Sequence, residues 1–508
     1  MRLTSFGRCA IIMRMKRLLF ALLLMLGCLV HALEPVEVVV VYNADSALSR
    51  ETAETYCRLR SIPETNLIPL YGLGRGDISR ADYDAKVKLP LMALGKSRGI
   101  VWPAGVQGGG TQVRAMVLMP DLPLRIKEEP VNGKLPGNGI PVNGAALDSE
   151  LMLLGAEYPL AKHGANPYYG KEALPAAGER QVVMSVCRID GPNKECIARM
   201  IHDPISVERT GLWGWIVVDS GGPYKAGDDM MTGVVDFCKG GAIPVFHESS
   251  KATLANDFPL MPETSLYFGW YANPANGPFG KEAKGGFRFV KGALAFHLHS
   301  YSATSLYDGN SWVSALLNRG ACVTAGNVSE PFLGACINYS VLFSRLIVGY
   351  SLGEAALMAS PTVSWQCIVL GDPLYRPYTH KAKDVPQKND FVMWLVLNRQ
   401  HHYSIERLEP EVQEALSRPH GAHFAEMFAW RLIHDNALEK AEKYLRLAQE
   451  RYTATRDKLR VSLILAAVLN ARGETEAAKN LMQQVQQKYG KSPYAAAIQK
   501  SAAAIMRK

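Results

Sequence analysis

The sequence predicts an α/β protein, a doubly wound and mostly parallel sheet, followed by an all-α tail of helical hairpins. Three observations carry this prediction. Residues 36–42 (VEVVVVY) form a continuous β-branched run that suits a strand covered on both faces. Strand-like and helix-like segments then alternate as far as Tyr378. After Tyr378 the composition changes: a polar linker covers 381–407, and from Leu408 the chain is rich in Ala, Glu, Lys and Gln.

After the first strand, Asn43-Ala44-Asp45-Ser46 reads as a turn and cap. A helix over 46–60 carries Ala53, Tyr56 and Leu59 on one side, and Pro63 stops it. Residues 67–70 form a second strand. Ser79 caps a helix whose apolar stripe is Tyr83, Val87 and Leu91, and a third strand follows at 115–119. Residues 128–145 read as a loop, and 145–154 as the start of a helix containing Asp148. Further strands are expected at 181–186, 214–219, 243–246, 266–268, 293–297, 321–324 and 367–370. Helices are expected at 195–209, 230–238, 312–317 and 337–348. In such a sheet, functional residues gather at the carboxyl ends of strands.

The N-terminus has Arg14, Lys16 and Arg17, then the apolar run 18–30, then His31-Ala32. A basic flank, a short apolar core and a small residue describe a signal peptide over 1–32. The run is short for a membrane span. A retained anchor and a lipid on Cys28 are the alternatives, although Met25-Leu26-Gly27 is a poor lipid-attachment pattern. Removing 1–32 takes five positive charges and no acids, so the net charge of +9 falls to 9 − 5 = +4. That balance does not suggest a nucleic-acid partner. No second long apolar run appears, so no membrane span is expected after cleavage.

Seven of the nine cysteines follow Ala32, without a disulfide framework or paired CxxC spacing. Those inside apolar runs read as small buried hydrophobes. Neither a metal nor a cofactor is expected: His401-His402 is a doublet without partners, and Gly108-Gly109-Gly110 lacks the Lys of a phosphate loop. At 508 residues the chain accommodates several units: an N-terminal α/β part at 33–160, a second α/β part at 161–380, the linker, and helices at 408–508. Two tail stretches, ending at Tyr452 and Tyr489, are self-similar with an offset of 489 − 452 = 37. They look like tetratricopeptide-type hairpins, which offer contact surface for a protein partner; a plain helical bundle is the other reading.

Between residues 181 and 378, Arg188-Ile189-Asp190, Gly269-Trp270, His299-Ser300, the run 320–326, Ser351-Leu352-Gly353-Glu354-Ala355 and Gly371-Asp372-Pro373 occur in an order that resembles the caspase-like peptidases, the gingipain type in particular. The resemblance implies a His-Gly after one strand and a nucleophilic Cys after the next, about thirty residues on. Here Gly269-Trp270 and His299-Ser300 stand at those places, and 300 − 270 = 30 fits the spacing. A slip of two residues makes Ser302 the other candidate. An indole accepts no proton, and a serine hydroxyl needs a placed base where a thiol is readily activated. The catalytic candidates are therefore Ser300 with His299, or with His247. Trp270, Tyr271, Asp219 and His247 are candidate ligand-binding residues. His297 and His299 share one face of a strand. As plain structure, they are satisfied histidines, the serines cap turns, and Asp219-Ser220-Gly221-Gly222 is a turn.

The runs VVVVYNADSALSRETAETYCRLRSIPETNLIPL (38–70) and ISRADYDAKVKLPL (78–91), with Asp148-Ser149-Glu150-Leu151, Tyr267-Phe268-Gly269-Trp270 and 371–377, resemble an uncharacterised family of exported bacterial proteins. That family occurs with exosortase-type sorting and exopolysaccharide systems. Its pattern itself carries the Gly-Trp and the Ser. The resemblances imply an exported envelope, periplasmic or extracellular protein with a degenerate peptidase site. It would bind a peptide or glycan there and a protein partner through its helices. A serine hydrolase and a purely structural envelope spacer are the alternatives.

Overall fold

The computed structural model describes residues 33–103, 112–129, 143–156, 164–176, 179–212, 214–240, 243–249, 263–281, 283, 287–378, 404–418, 421–492 and 494–506. The signal-peptide reading, the glycine triplet at 108–110, the His401-His402 doublet, most of the 128–145 loop and nearly all of the linker lie outside the described residues.

The strands are β1 (Val38–Asn43), β2 (Leu67–Leu70), β3 (Ala115–Leu118), β4 (Arg125–Ile126), β5 (Ala145–Ala146), β6 (Gly164–Ala165), β7 (Ser185–Arg188), β8 (Trp215–Asp219), β9 (Val245–Glu248), β10 (Thr264–Gly269), β11 (Leu294–His297), β12 (Thr324–Asn327), β13 (Thr362–Val363) and β14 (Cys367–Leu370). A six-stranded sheet has the order β12-β14-β7-β3-β1-β2, and a four-stranded sheet the order β11-β10-β8-β9. All pairs within them are parallel except β12–β14. A parallel bridge between Leu294 and Val323, with the Ala295 amide donating to the Val323 carbonyl at 2.9 Å, joins the two sheets. The larger sheet draws strands from both sides of residue 160. The strands expected at 181–186 and 321–324 are displaced to 185–188 and 324–327. In both cases the ladder begins where register with a neighbour is met, a few residues after the apolar run begins.

Helices cover both faces. The main ones are α1 (Ala47–Arg60), α2 (Leu89–Ser97, entered through a short turn Arg80–Asp82 and a π-helical stretch Tyr83–Lys88), α3 (Leu147–Leu151), α4 (Lys194–Thr210), α5 (Lys225–Gly240), α6 (Trp312–Asn318), α7 (Tyr339–Ile347) and α8 (Leu352–Ala359). Val38 and Val40 pack with Ala53 and Tyr56 of α1 and Ile197 and Ile201 of α4 on one face. Val39 and Val41 pack with Tyr83, Val87 and Leu91 on the other. Alternate side chains of a strand point to opposite faces, so a strand buried on both sides must be apolar throughout, as residues 38–41 are. The smaller sheet repeats this arrangement. Ile216, Val218, Phe268 and Phe296 lie under α5 and α7, while Val217, Tyr267 and Ala295 face Phe279, Phe289 and Trp312.

The tail forms α9 (Ile405–Ala415), α10 (Gly421–His434), α11 (Leu438–Arg451), α12 (Thr455–Ala471), α13 (Thr475–Tyr489) and α14 (Ala495–Met506), each packed on the next. It abuts the smaller sheet: Trp430 of α10 lies edge-on to Trp215 with ring centroids 6.3 Å apart. No helix among the described residues is long and apolar enough to cross a membrane.

Candidate functional site

Strands β10 and β11 are neighbours in register, Gly269 opposite His297, and the Leu298 amide donates to the Gly269 carbonyl at 2.7 Å. The segments that leave the two strands therefore emerge side by side, and Trp270-Tyr271 and His299-Ser300 share one carboxyl edge.

Trp270 turns inward and is only 2 % exposed. Its indole N–H donates to Asp228 Oδ1 at 2.8 Å. The Gly221 and Gly222 amides donate to the same oxygen at 2.8 and 3.1 Å. Asp228 lies in the first turn of α5, so its carboxylate also sits well with that helix's dipole. A Cβ at Gly222 or at Gly227 would overlap the indole ring, so both positions require glycine for the tryptophan to seat. Tyr271, by contrast, is 40 % exposed, and its ring packs on His299 at 4.6 Å between centroids. Tyr224 (60 % exposed) lies against the outer side of Trp270.

His297 is buried, stacked 3.4 Å from Trp312, and its Nε2 accepts from the Ala272 amide at 3.2 Å. Its Nδ1 lies 3.4 Å from the Tyr267 hydroxyl, which donates to Asp219 Oδ2, also at 3.4 Å. Burial, and then His299, hold the His297 imidazolium pKa well below the ordinary histidine value, so the ring is a neutral structural group. Asp219, at the end of β8, is buried within this chain of contacts. His299 Nδ1 accepts from the Tyr301 amide at 3.3 Å, which leaves its proton on Nε2. Burial lowers its pKa, and Glu330 partly opposes this. The Ser300 hydroxyl contacts Tyr271; among the described residues it has no hydrogen bond to an imidazole. Ser302 is buried and accepts from the Asn327 amide at 3.1 Å, fixing the turn to β12.

His247 is not beside Ser300. It projects from β9, and its Nε2 lies 2.8 Å from the hydroxyl of Ser220, which follows β8. His247 is exposed on β9; partial desolvation, and then Lys239, lower its pKa, while Glu248, Asp228 and Asp236 oppose them.

All seven described cysteines are free thiols, and six are buried. Burial pushes Cys57 and Cys336 up to about 12. Among the described residues none hydrogen-bonds an imidazole, so no activated thiolate stands near the carboxyl edge.

Arg188, at the end of β7, is fully buried. It donates to Asp148 (2.6 Å) and to the carbonyls of Leu122 and Pro123, with Asp190 at 3.8 Å. One guanidinium cannot neutralise two buried carboxylates. Burial raises Asp190 from 3.8 to about 6, against the opposing pull of Arg188 and the Tyr307 hydroxyl. The folded value lies above the unfolded one, so the stabilisation is complete below pH 3.8 and is lost as pH rises through 6. Asp190→Asn should flatten the dependence of the unfolding midpoint on pH between about 4 and 6 relative to the parent. An unchanged slope would show that Asp190 titrates normally.

Sequence reasoning placed Trp270 and Ser300 on one edge but missed Asp228 as the indole's acceptor and Ser220 as the partner of His247. The Asp219-Ser220-Gly221-Gly222 turn was visible; its partners Asp228 and His247 lie 6 and 27 residues away, on a helix and on another strand. No protein-family model matches this chain, and no curated protein matches it.

Proposed function

We propose that this is an exported protein with a caspase-like, gingipain-type α/β fold whose peptidase site has lost its chemistry. Its carboxyl edge binds a peptide or glycan without cleaving it, and its tetratricopeptide-like helices engage a protein partner at the cell envelope. One observation carries the reading. At the two strand ends where the resemblance calls for a base and a nucleophile, the indole is buried on Asp228 and the Ser300 hydroxyl rests on Tyr271 instead of an imidazole. The parallel order β11-β10-β8-β9 and the neighbouring positions of the two ends support the caspase-like part. What the edge offers to solvent is Tyr271 and Tyr224, with Tyr301 (42 % exposed) on the segment after Ser300. Exposed aromatic faces beside hydroxyl and imidazole groups suit stacking on a sugar or on a peptide side chain.

Titrating the full chain against panels of neutral oligosaccharides and of extended peptides tests the proposal. Tyr271→Ala should weaken the best binder about tenfold or more, the loss that follows from removing an interaction of about 1.4 kcal/mol, with Ser300→Ala close to the parent. Turnover of any panel member that disappears in Ser300→Ala would instead establish a hydrolase at this edge.

A further inference from the structure

We propose that Ser220 and His247 form an acyl-accepting nucleophile–base pair, distinct from Ser300 and His299, that takes small carboxylic esters and is held latent by Asp228. Ser220 sits at the carboxyl end of β8, and His247 on the neighbouring parallel strand β9. Their side chains meet at 2.8 Å, within the reach a base needs to take a hydroxyl proton. With its proton on Nδ1, the ring accepts the hydroxyl hydrogen at Nε2. Its lowered pKa favours the neutral imidazole, the form that acts as a base. The charged groups around the ring are Lys239, Glu248, Asp228 and Asp236.

The residue after a nucleophile commonly supplies a backbone N–H to the oxyanion that forms during attack. Here the Gly221 amide, the Gly222 amide and the Trp270 indole N–H converge on one point, and Asp228 Oδ1 occupies it. The donors are thus assembled beside Ser220 but engaged by an internal carboxylate. That arrangement makes the pair slow and gives it a built-in brake.

The step balances. Ser220 Oγ bonds to the ester carbonyl carbon while its proton passes to His247 Nε2. The ester C–O bond then breaks, and the departing alkoxide takes that proton. Water subsequently hydrolyses the acyl-serine to free acid. With a fluorophosphonate the Oγ–P bond forms, the P–F bond breaks, and fluoride and the proton leave.

The test uses the full chain, a fluorophosphonate probe and peptide mapping by mass spectrometry. The adduct is expected on Ser220, slowly in the parent and about a hundredfold slower in His247→Ala. It should form about tenfold faster in Asp228→Ala, where three donors are freed for the oxyanion, and be unaffected in Ser300→Ala. p-Nitrophenyl acetate should give a burst of nitrophenolate with the same ranking. No adduct on Ser220 in the folded parent and in Asp228→Ala, or an adduct whose rate ignores His247→Ala, overturns the proposal. Mapping the adduct on the parent keeps the outcome independent of whether any variant folds.

Discussion

Arg188→Met is expected to lower folding stability by about 3–5 kcal/mol, the range for removing one partner of a buried ion pair. The guanidinium reaches Asp148, Asp190 and the Leu122 and Pro123 carbonyls together. Without it, two buried carboxylates lose their counter-charge and two carbonyls lose a donor, in a place water does not reach. The uncompensated negative charge, more than the missing attraction, sets the size of the effect. Urea unfolding of the purified chain measures it. Adding Asp148→Leu and Asp190→Asn to Arg188→Met should recover a good part of the stability, because an uncharged cluster has no ion to desolvate. A loss below about 1 kcal/mol for the single change would place Arg188 with ordinary surface ion pairs, which its burial contradicts.

The second large effect is at Trp270. Trp270→Ala should destabilise by about 3–5 kcal/mol through the cavity it opens, and it also strips a donor from Asp228. Trp270→Phe keeps most of the apolar volume and should cost about 1–2 kcal/mol, chiefly that hydrogen bond. These effects belong in the unfolding midpoint. A tryptophan lying on a ligand-stacking rim would behave in the opposite way, with weakened binding and an unchanged midpoint. The two readings therefore separate in one pair of experiments, thermal unfolding and ligand titration on the same variants. Tyr271, exposed on the adjoining position, is the internal control: its truncation should affect binding and leave stability within about 0.5 kcal/mol of the parent, as surface changes do.

Much of the fold was legible in the chain because burial leaves a local signature. Residues 38–41 are apolar without a break because both faces of β1 are covered. Ser46 and Ser79 are read as caps, and each accepts the amide three residues on. The stripe Tyr83, Val87 and Leu91 is buried as its spacing implies. Strand ends were less legible: β7 begins at Ser185 and β12 at Thr324, where ladder register with a neighbouring strand decides, and register is not written in either segment alone.

The candidate site divides in the same way. That residues 270 and 300 come to one edge follows from a strand, a crossover and a parallel strand, and the right spacing was enough to place them. Which way each side chain turns was not available from spacing. Trp270 and Tyr271 are adjacent in sequence, yet one is sealed under Gly222 and Gly227 and the other is open to solvent. Two histidines two residues apart, on β11 and just beyond it, differ for the same reason. His297 is clamped between Trp312 and an amide, while His299 lies under an exposed tyrosine.

By itself, then, the order of residues determined a two-faced α/β sheet, a helical extension and the absence of a thiol at the expected strand end, since composition and periodicity are local properties. Only the tertiary structure decided that Asp228 fills the donor cluster, that His247 faces Ser220 instead of Ser300, and that Arg188 holds two carboxylates. Hydrogen bonds and ion pairs act over about 3 Å, and the partners concerned are brought within that distance by strand pairing and helix packing, not by nearness along the chain.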